Sequence, residues 1–229
     1  MAIKKFVFED KIITLEELKT ALDKDWDGYE KLRLKIKNSK YKYGNGEPET
    51  DEFAKNMLDR IYTRINKRPN ARGGVYKTEM HSALHFVRQG KLTGASPDGR
   101  KAGEELSKNA SSSVGMDKEG VTALIKSALN LKPYKHHEGF CLDVMLHPSS
   151  VVGDDGLEVM YSLLMTYLDG NGISIQFNVF DENTLLDAQK NPEKYKNLQG
   201  RVCGWNVLWN NLSKEEQGAY IERAKNILR

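Results

Sequence analysis

Residues 141–180, CLDVMLHPSSVVGDDGLEVMYSLLMTYLDGNGISIQFNVF, decide the fold. Residues 141–146 are a short apolar run and read as a buried strand. Residues 154–168 carry Leu157, Met160, Tyr161, Leu164 and Leu168 at helical spacing, and Gly170 to Gly172 end that helix. Residues 173–180 read as a second buried strand. Strand and helix alternating in this way is the pattern of an α/β architecture.

The flanks extend the pattern. Residues 121–131 and 183–190 read as helices, and Pro192 suits the first position of a further turn. Residues 200–209 form a loop that leads into a short extended stretch. Ser213 and Glu216 then make a capping box, and a terminal helix runs to about Leu228. Upstream, residues 3–9 alternate weakly, as a short strand or an extended arm. Thr14 and Glu17 form another capping box ahead of Leu15, Leu18, Ala21 and Leu22. Residues 28–37 read as helix, although alternating Leu32, Leu34 and Ile36 also suit a strand. Residues 41–50 are a loop, after which Asp51 caps a helix whose buried stripe is Phe53, Met57, Ile61 and Ile65. Residues 69–120 are rich in Gly, Ser and turn pairs, and only residues 76–88 offer a strand or helix. A stretch so long and aperiodic is functional or packs against something larger. The expected division is a helical lead-in over residues 1–70 and a second unit over residues 71–229.

The chain has 229 residues, enough to bury a core. Its 35 basic and 32 acidic residues are interspersed and leave a net charge of +3, which makes no case for nucleic acid or an acidic membrane. Mean hydropathy is -0.62, polar for a self-contained enzyme and fitting for a piece that expects a partner surface. Two cysteines, Cys141 and Cys203, with no CxxC, suit a reducing cytoplasm. No apolar run approaches the ~20 residues of a membrane span.

Near the C-terminus stands Arg201-Val202-Cys203-Gly204-Trp205. Loss of a hydrogen from a glycine Cα leaves a radical between an amide nitrogen that donates electron density and a carbonyl that withdraws it. Without a side chain the centre can flatten and conjugate with both. On local sequence alone, a turn glycine is the commoner reading. The flanks reverse that preference. Ser174 to Val179, Leu185, Asp187 to Gln189, Asn191 to Glu193 and Tyr195 precede the motif, and Leu212, Ser213, Glu216, Gln217 and Arg223 follow it. Gly94-Ala95-Ser96-Pro97-Asp98-Gly99-Arg100-Lys101-Ala102-Gly103, then Gly120 to Ala123 and Ser127, stand upstream. These stretches together resemble the glycyl radical enzymes, the family of pyruvate formate-lyase, from roughly Thr14 to Arg229 and most densely over residues 94–217. Gly200 departs from the family's usual apolar β-branched residue, which loosens the approach to the loop.

The resemblance implies an α/β fold that is the C-terminal half-barrel portion of such an enzyme, with flanking helices and the radical loop in residues 71–229. It implies Gly204 as the catalytic position, within a motif of Arg201, Val202, Cys203 and Trp205. A separate radical-SAM activating enzyme would abstract the Gly204 hydrogen, so the chain itself binds no cofactor. The stored radical would then oxidise a cysteine to a thiyl in the other half of the barrel. Neither Cys141 nor Cys203 stands in the Gly-Cys context of that residue, so this portion is inactive alone and needs the remaining half or a full-length partner. The setting is an anaerobic cytoplasm, because oxygen would cut the chain at Gly204. The loop is normally buried in the barrel centre; in an isolated piece it is expected to be more mobile or differently placed, with self-association covering exposed apolar surface.

A lyase, dehydratase, decarboxylase or acyltransferase is the leading class, with the wording around Gly204 leaning to the dehydratase and decarboxylase branches. A non-catalytic spare part that restores an oxygen-cleaved enzyme is the second reading, and a plain α/β binding module the third. The five histidines make no metal spacing: His136 and His137 are adjacent, and His81 and His85 lack a suitably spaced carboxylate or cysteine. Neither Arg72-Gly73-Gly74 nor residues 94–103 matches a phosphate loop, and no Ser-His-Asp order is present.

Overall fold

The computed structural model describes residues 1–136, 138–202 and 204–225. The strand-helix-strand order and bounds hold almost to the residue, but the second strand is only half buried, with Ile173 and Val179 exposed. Strand β1 (Cys141–Leu146) and strand β2 (Ser174–Val179) pair in parallel, from Cys141 opposite Ser174 to Leu146 opposite Val179. The crossover between them is a helix, Gly153–Asp169, as parallel pairing requires. This pair is the centre of the main core, where Phe140, Leu142, Val144 and Leu146 meet Leu124, Ile125, Ala128, Leu163 and Tyr167.

In chain order the helices are α1 (Leu15–Asp23), α2 (Glu30–Lys37), α3 (Pro48–Ile65), α4 (His85–Leu92), α5 (Gly120–Asn130), α6 (the crossover), α7 (Glu182–Lys190) and α8 (Lys214–Lys225). Both capping boxes form: Thr14 and Glu17 exchange backbone and side-chain hydrogen bonds ahead of α1, and Ser213 and Glu216 do so ahead of α8. The final turn expected toward Leu228 lies outside the described residues.

Three expectations are corrected. Residues 3–9 are neither strand nor extended arm but a π-helical segment, Ile3–Glu9. It buries Phe6 among Ile13, Leu18, Ala21, Trp26 and Ile36, and ties Lys5 to Glu9 and Glu49. With no neighbouring strand to pair with, coiling satisfies its backbone locally. Helix α3 starts three residues before Asp51, with Glu47 as N-cap and Pro48 in the first turn. Asp51 is instead buried inside the helix and accepts a 2.8 Å hydrogen bond from Ser127 on α5. The stripe expected to be buried, Phe53, Met57, Ile61 and Ile65, faces outward; Thr50, Asp51 and Leu58 are the inward residues. Leu157, Tyr161, Leu164 and Leu168 of α6 are exposed as well.

Between α4 and α5 the turn-rich stretch is ordered by buried cations. The Arg100 guanidinium donates to the carbonyls of Thr93, Gly94, Lys101 and Glu104, and Arg33 donates to Gly99. Carbonyls that a helix or sheet would have satisfied are gathered here by two side chains. Among the described residues no helix is long and apolar enough to cross a membrane.

Candidate radical site

The sequence loop at residues 200–209 is an antiparallel hairpin. Strand β3 (Gln199–Val202) pairs with strand β4 (Trp205–Leu208), with Val202 opposite Trp205 and Arg201 opposite Asn206. That register leaves positions 203 and 204 between the two strands, with Gly204 in a turn. Cys203 lies outside the described residues. Gly204 has φ +98°, a conformation that side-chain-bearing residues rarely adopt, and a Cβ there would meet nothing within 4 Å. The turn therefore demands glycine for its backbone angle rather than for space.

The other motif residues divide by strand face. Val202 is completely buried in a second core with Phe180, Leu185, Ala188, Trp209, Leu212, Tyr220 and Ile221. Trp205 is 49% exposed, and Gly204 is exposed beside it. The Arg201 guanidinium reaches across the hairpin to Asn206 Oδ1 at 3.0 Å. Gly200 is buried, and a Cβ on it would touch the Tyr220 ring at 3.4 Å. A Cβ at that distance is in ordinary contact with the ring, and only a larger side chain would press on it.

Beneath the hairpin lies a polar network not legible as a site in the sequence. In β2 the most buried side chains are Gln176 and Asn178 rather than the apolar ones. Gln176 sits opposite Asp143 of β1 and donates to its carboxylate. Asn109 donates to the other carboxylate oxygen. The Lys108 ammonium completes the set at 2.7 Å, and the two ion-pair side chains are only 3% and 2% exposed. Ser111 Oγ accepts from the Asp143 N–H and donates to its C=O, both at 2.9 Å. Burial raises the Tyr220 hydroxyl above its ordinary pKa, with Lys108 opposing. The available signal was two polar residues at alternate positions of one strand, facing a carboxylate in its apolar neighbour.

Among the described residues no group of three or more His, Cys, Asp or Glu is placed to hold a metal ion. His137 lies outside the described residues. Cys141 is buried at the head of β1.

A glycine at a strained turn is ordinary; a glycine at this turn, in this sequence, is not. Residues 106–210 match the family described as glycine radical, and residues 1–90 match that described as pyruvate formate lyase-like. The chain belongs to the glycyl radical enzyme family. It is 38% identical to trans-4-hydroxy-L-proline dehydratase of Clostridioides difficile over 98% of this chain and 28% of that protein. Isethionate sulfite-lyase of Nitratidesulfovibrio vulgaris is 34% identical over 97% of this chain and 27% of that protein. The solved B12-independent glycerol dehydratase from Clostridium butyricum superposes with a TM-score of 0.92 at 39% identity, covering 97% of this chain and 28% of that one. The chain thus spans little more than a quarter of the length of these relatives, as a C-terminal portion of them.

Proposed function

We propose that this chain is the radical-bearing C-terminal portion of a glycyl radical enzyme and that Gly204 is where the radical is installed. The observation that carries this reading is the position of Gly204: exposed between two hairpin strands, with free space where a Cβ would stand, inside the stretch that matches the glycine radical family. An activating enzyme of the radical-SAM type approaches that tip. Its 5′-deoxyadenosyl radical takes one hydrogen atom from the Gly204 Cα, giving 5′-deoxyadenosine and the glycyl radical. That radical then takes the hydrogen of a cysteine thiol supplied by the rest of the enzyme, restoring the Cα–H and leaving a thiyl that attacks substrate. What this chain contributes is the positioning of Gly204; exclusion of water and oxygen from the exposed tip would fall to the rest of the enzyme.

Two dehydratases among the relatives, at 38% and 39% identity, favour elimination of water as the reaction class. The outward apolar faces of α3 and α6 belong to this reading too. Phe53, Met57, Ile61 and Ile65 on one helix and Leu157, Tyr161, Leu164 and Leu168 on the other would be covered by the remaining three quarters of the enzyme. A two-stranded parallel sheet is likewise a small part of any closed barrel. The spare-part reading has less support, because the resemblance runs on through residues 1–90 rather than stopping at the glycine radical stretch.

The test is electron paramagnetic resonance after anaerobic incubation with an activating enzyme and SAM. One α-hydrogen remains on the radical carbon, so the expected signal is a doublet. It collapses toward a singlet when the chain is made with α-deuterated glycine, and it is lost in Gly204→Ala. A wild-type chain that gives no signal with a competent activating enzyme, or a signal unmoved by deuterated glycine, contradicts the proposal.

A further inference from the structure

A two-stranded hairpin is marginal by itself in water, and a Cβ on Gly204 would meet nothing within 4 Å beyond its chain neighbours. Something must fix the turn. In an antiparallel pair, alternate residues aim their backbone groups away from the partner strand. Arg201 is such a residue, and both of its backbone groups are bonded outside the hairpin. Its N–H donates to Asn178 Oδ1 at 2.8 Å, and its C=O accepts from Asn178 Nδ2 at 3.3 Å. The side-chain amide carries one donor and one acceptor side, as a peptide group does, and so stands in for a neighbouring strand. The same C=O accepts a second hydrogen bond, at 3.0 Å, from the Tyr220 hydroxyl.

We infer that Asn178 and Tyr220 are positioning residues for the radical turn, gripping the backbone of Arg201 three residues before Gly204. The inference rests on the radical reading for its purpose and on the hydrogen bonds for its existence. Tyr220 is itself held in place. Lys108 Nζ lies 3.4 Å from its hydroxyl and 5.0 Å from the ring centroid, and the same ammonium is anchored by Asp143. A hydroxyl that accepts from an ammonium has its own proton directed elsewhere, here to the Arg201 carbonyl. A continuous chain therefore runs from the β1–β2 sheet, through Asp143, Lys108 and Tyr220, to the hairpin. Radical delocalisation asks Gly204 to leave its φ of +98° and flatten. Fixing the backbone of Arg201 limits how far the rest of the incoming strand moves as it does.

The experiment compares wild type, Asn178→Ala and Tyr220→Phe by amide hydrogen exchange, with EPR on the activated chains. Tyr220→Phe keeps the ring in its core and removes the hydroxyl alone, so it reads the grip even if Asn178→Ala folds poorly. The expected result is faster exchange across residues 199–208, by about fivefold in Tyr220→Phe, which loses one hydrogen bond to Arg201, and by about tenfold or more in Asn178→Ala, which loses two. Exchange in β1 and β2 stays at the wild-type rate, and the doublet broadens as the turn samples a range of geometries. Unchanged hairpin exchange, or a uniform rise through β1 and β2, overturns the inference. A wild-type chain without a doublet refutes the radical reading alone; the exchange rates decide the grip in either case.

Discussion

Replacing Lys108 with methionine strands a buried carboxylate, and the size of the effect can be worked out in advance. The ammonium is 2.7 Å from Asp143 Oδ1, with side chains 3% and 2% exposed. At an effective dielectric of about 20 the attraction is roughly 6 kcal/mol. Dehydrating both ions offsets much of that, but Lys108→Met removes the attraction and leaves the carboxylate dehydrated. Breaking one side of a buried pair typically costs about 3–5 kcal/mol. Asn109 and Gln176 still donate to Asp143 in the variant, which places the cost toward the lower end. For a chain of this size each kcal/mol moves Tm by about 2–4 °C. Lys108→Met should therefore lower the melting temperature by about 6–12 °C, followed by circular dichroism. Adding Asp143→Asn removes the stranded charge, so the double variant should melt above Lys108→Met. A fall of under about 2 °C, or a double variant no better than the single, would refute the buried-charge reasoning.

Three other predictions concern separate parts of the molecule. Burial, partly offset by the Ser127 hydroxyl, holds the Asp51 carboxyl above its ordinary range. A carboxyl raised in the folded state costs stability above its folded pKa, and that cost disappears as pH falls through that value toward the unfolded one. Asp51→Asn keeps an acceptor for Ser127, so it should raise Tm at pH 7, with the gain shrinking in acid; a loss at pH 7 would contradict this. Met57→Glu and Leu157→Glu, at outward positions 51% and 69% exposed, should change the stability of the chain alone by no more than about 0.5 kcal/mol. Size-exclusion chromatography should show each blocking association with the rest of a glycyl radical enzyme; association intact, or a self-associated chain dispersed instead, would count against the proposed cover. Gly200→Val pushes methyl groups into Tyr220, and overpacking of this kind costs about 1–3 kcal/mol. Urea unfolding reads that cost, and a neutral substitution would show that the tyrosine is not held where it is found.

Legibility followed locality. The βαβ unit was readable because β1 is a mostly apolar run and β2 an alternating one, both of strand length around a periodic helix, signals that lie within a few turns of chain. The capping boxes were readable for the same reason: donor and acceptor are three residues apart. Periodicity found the apolar stripe of α3 but could not give its partner. Phe53, Met57, Ile61 and Ile65 form a genuine face that the described residues leave exposed. The π-helical start was missed because weak alternation has no strand to pair with. The reading of Gly204 as a radical position rests on its flanks and on resemblance, not on its own geometry: a φ of +98° would call for glycine at any turn. The network under the hairpin was the least legible part. Lys108, Asp143, Asn178 and Tyr220 are spread over more than a hundred residues, and each is unremarkable in its local window. Only the parallel register and the packing of α8 bring them together.

The central claim is that a radical resides on Gly204, and it can be tested without mutating a position whose backbone angle already requires glycine. The chain is activated anaerobically with an activating enzyme and SAM, exposed to air, and analysed by intact mass spectrometry. Oxygen adds to a carbon radical and breaks the backbone where that radical sits. The account predicts two fragments whose break maps to Gly204, formed only when SAM and the activating enzyme were both present. A chain that carries an EPR doublet yet stays intact in air, or that breaks at another glycine, would contradict it.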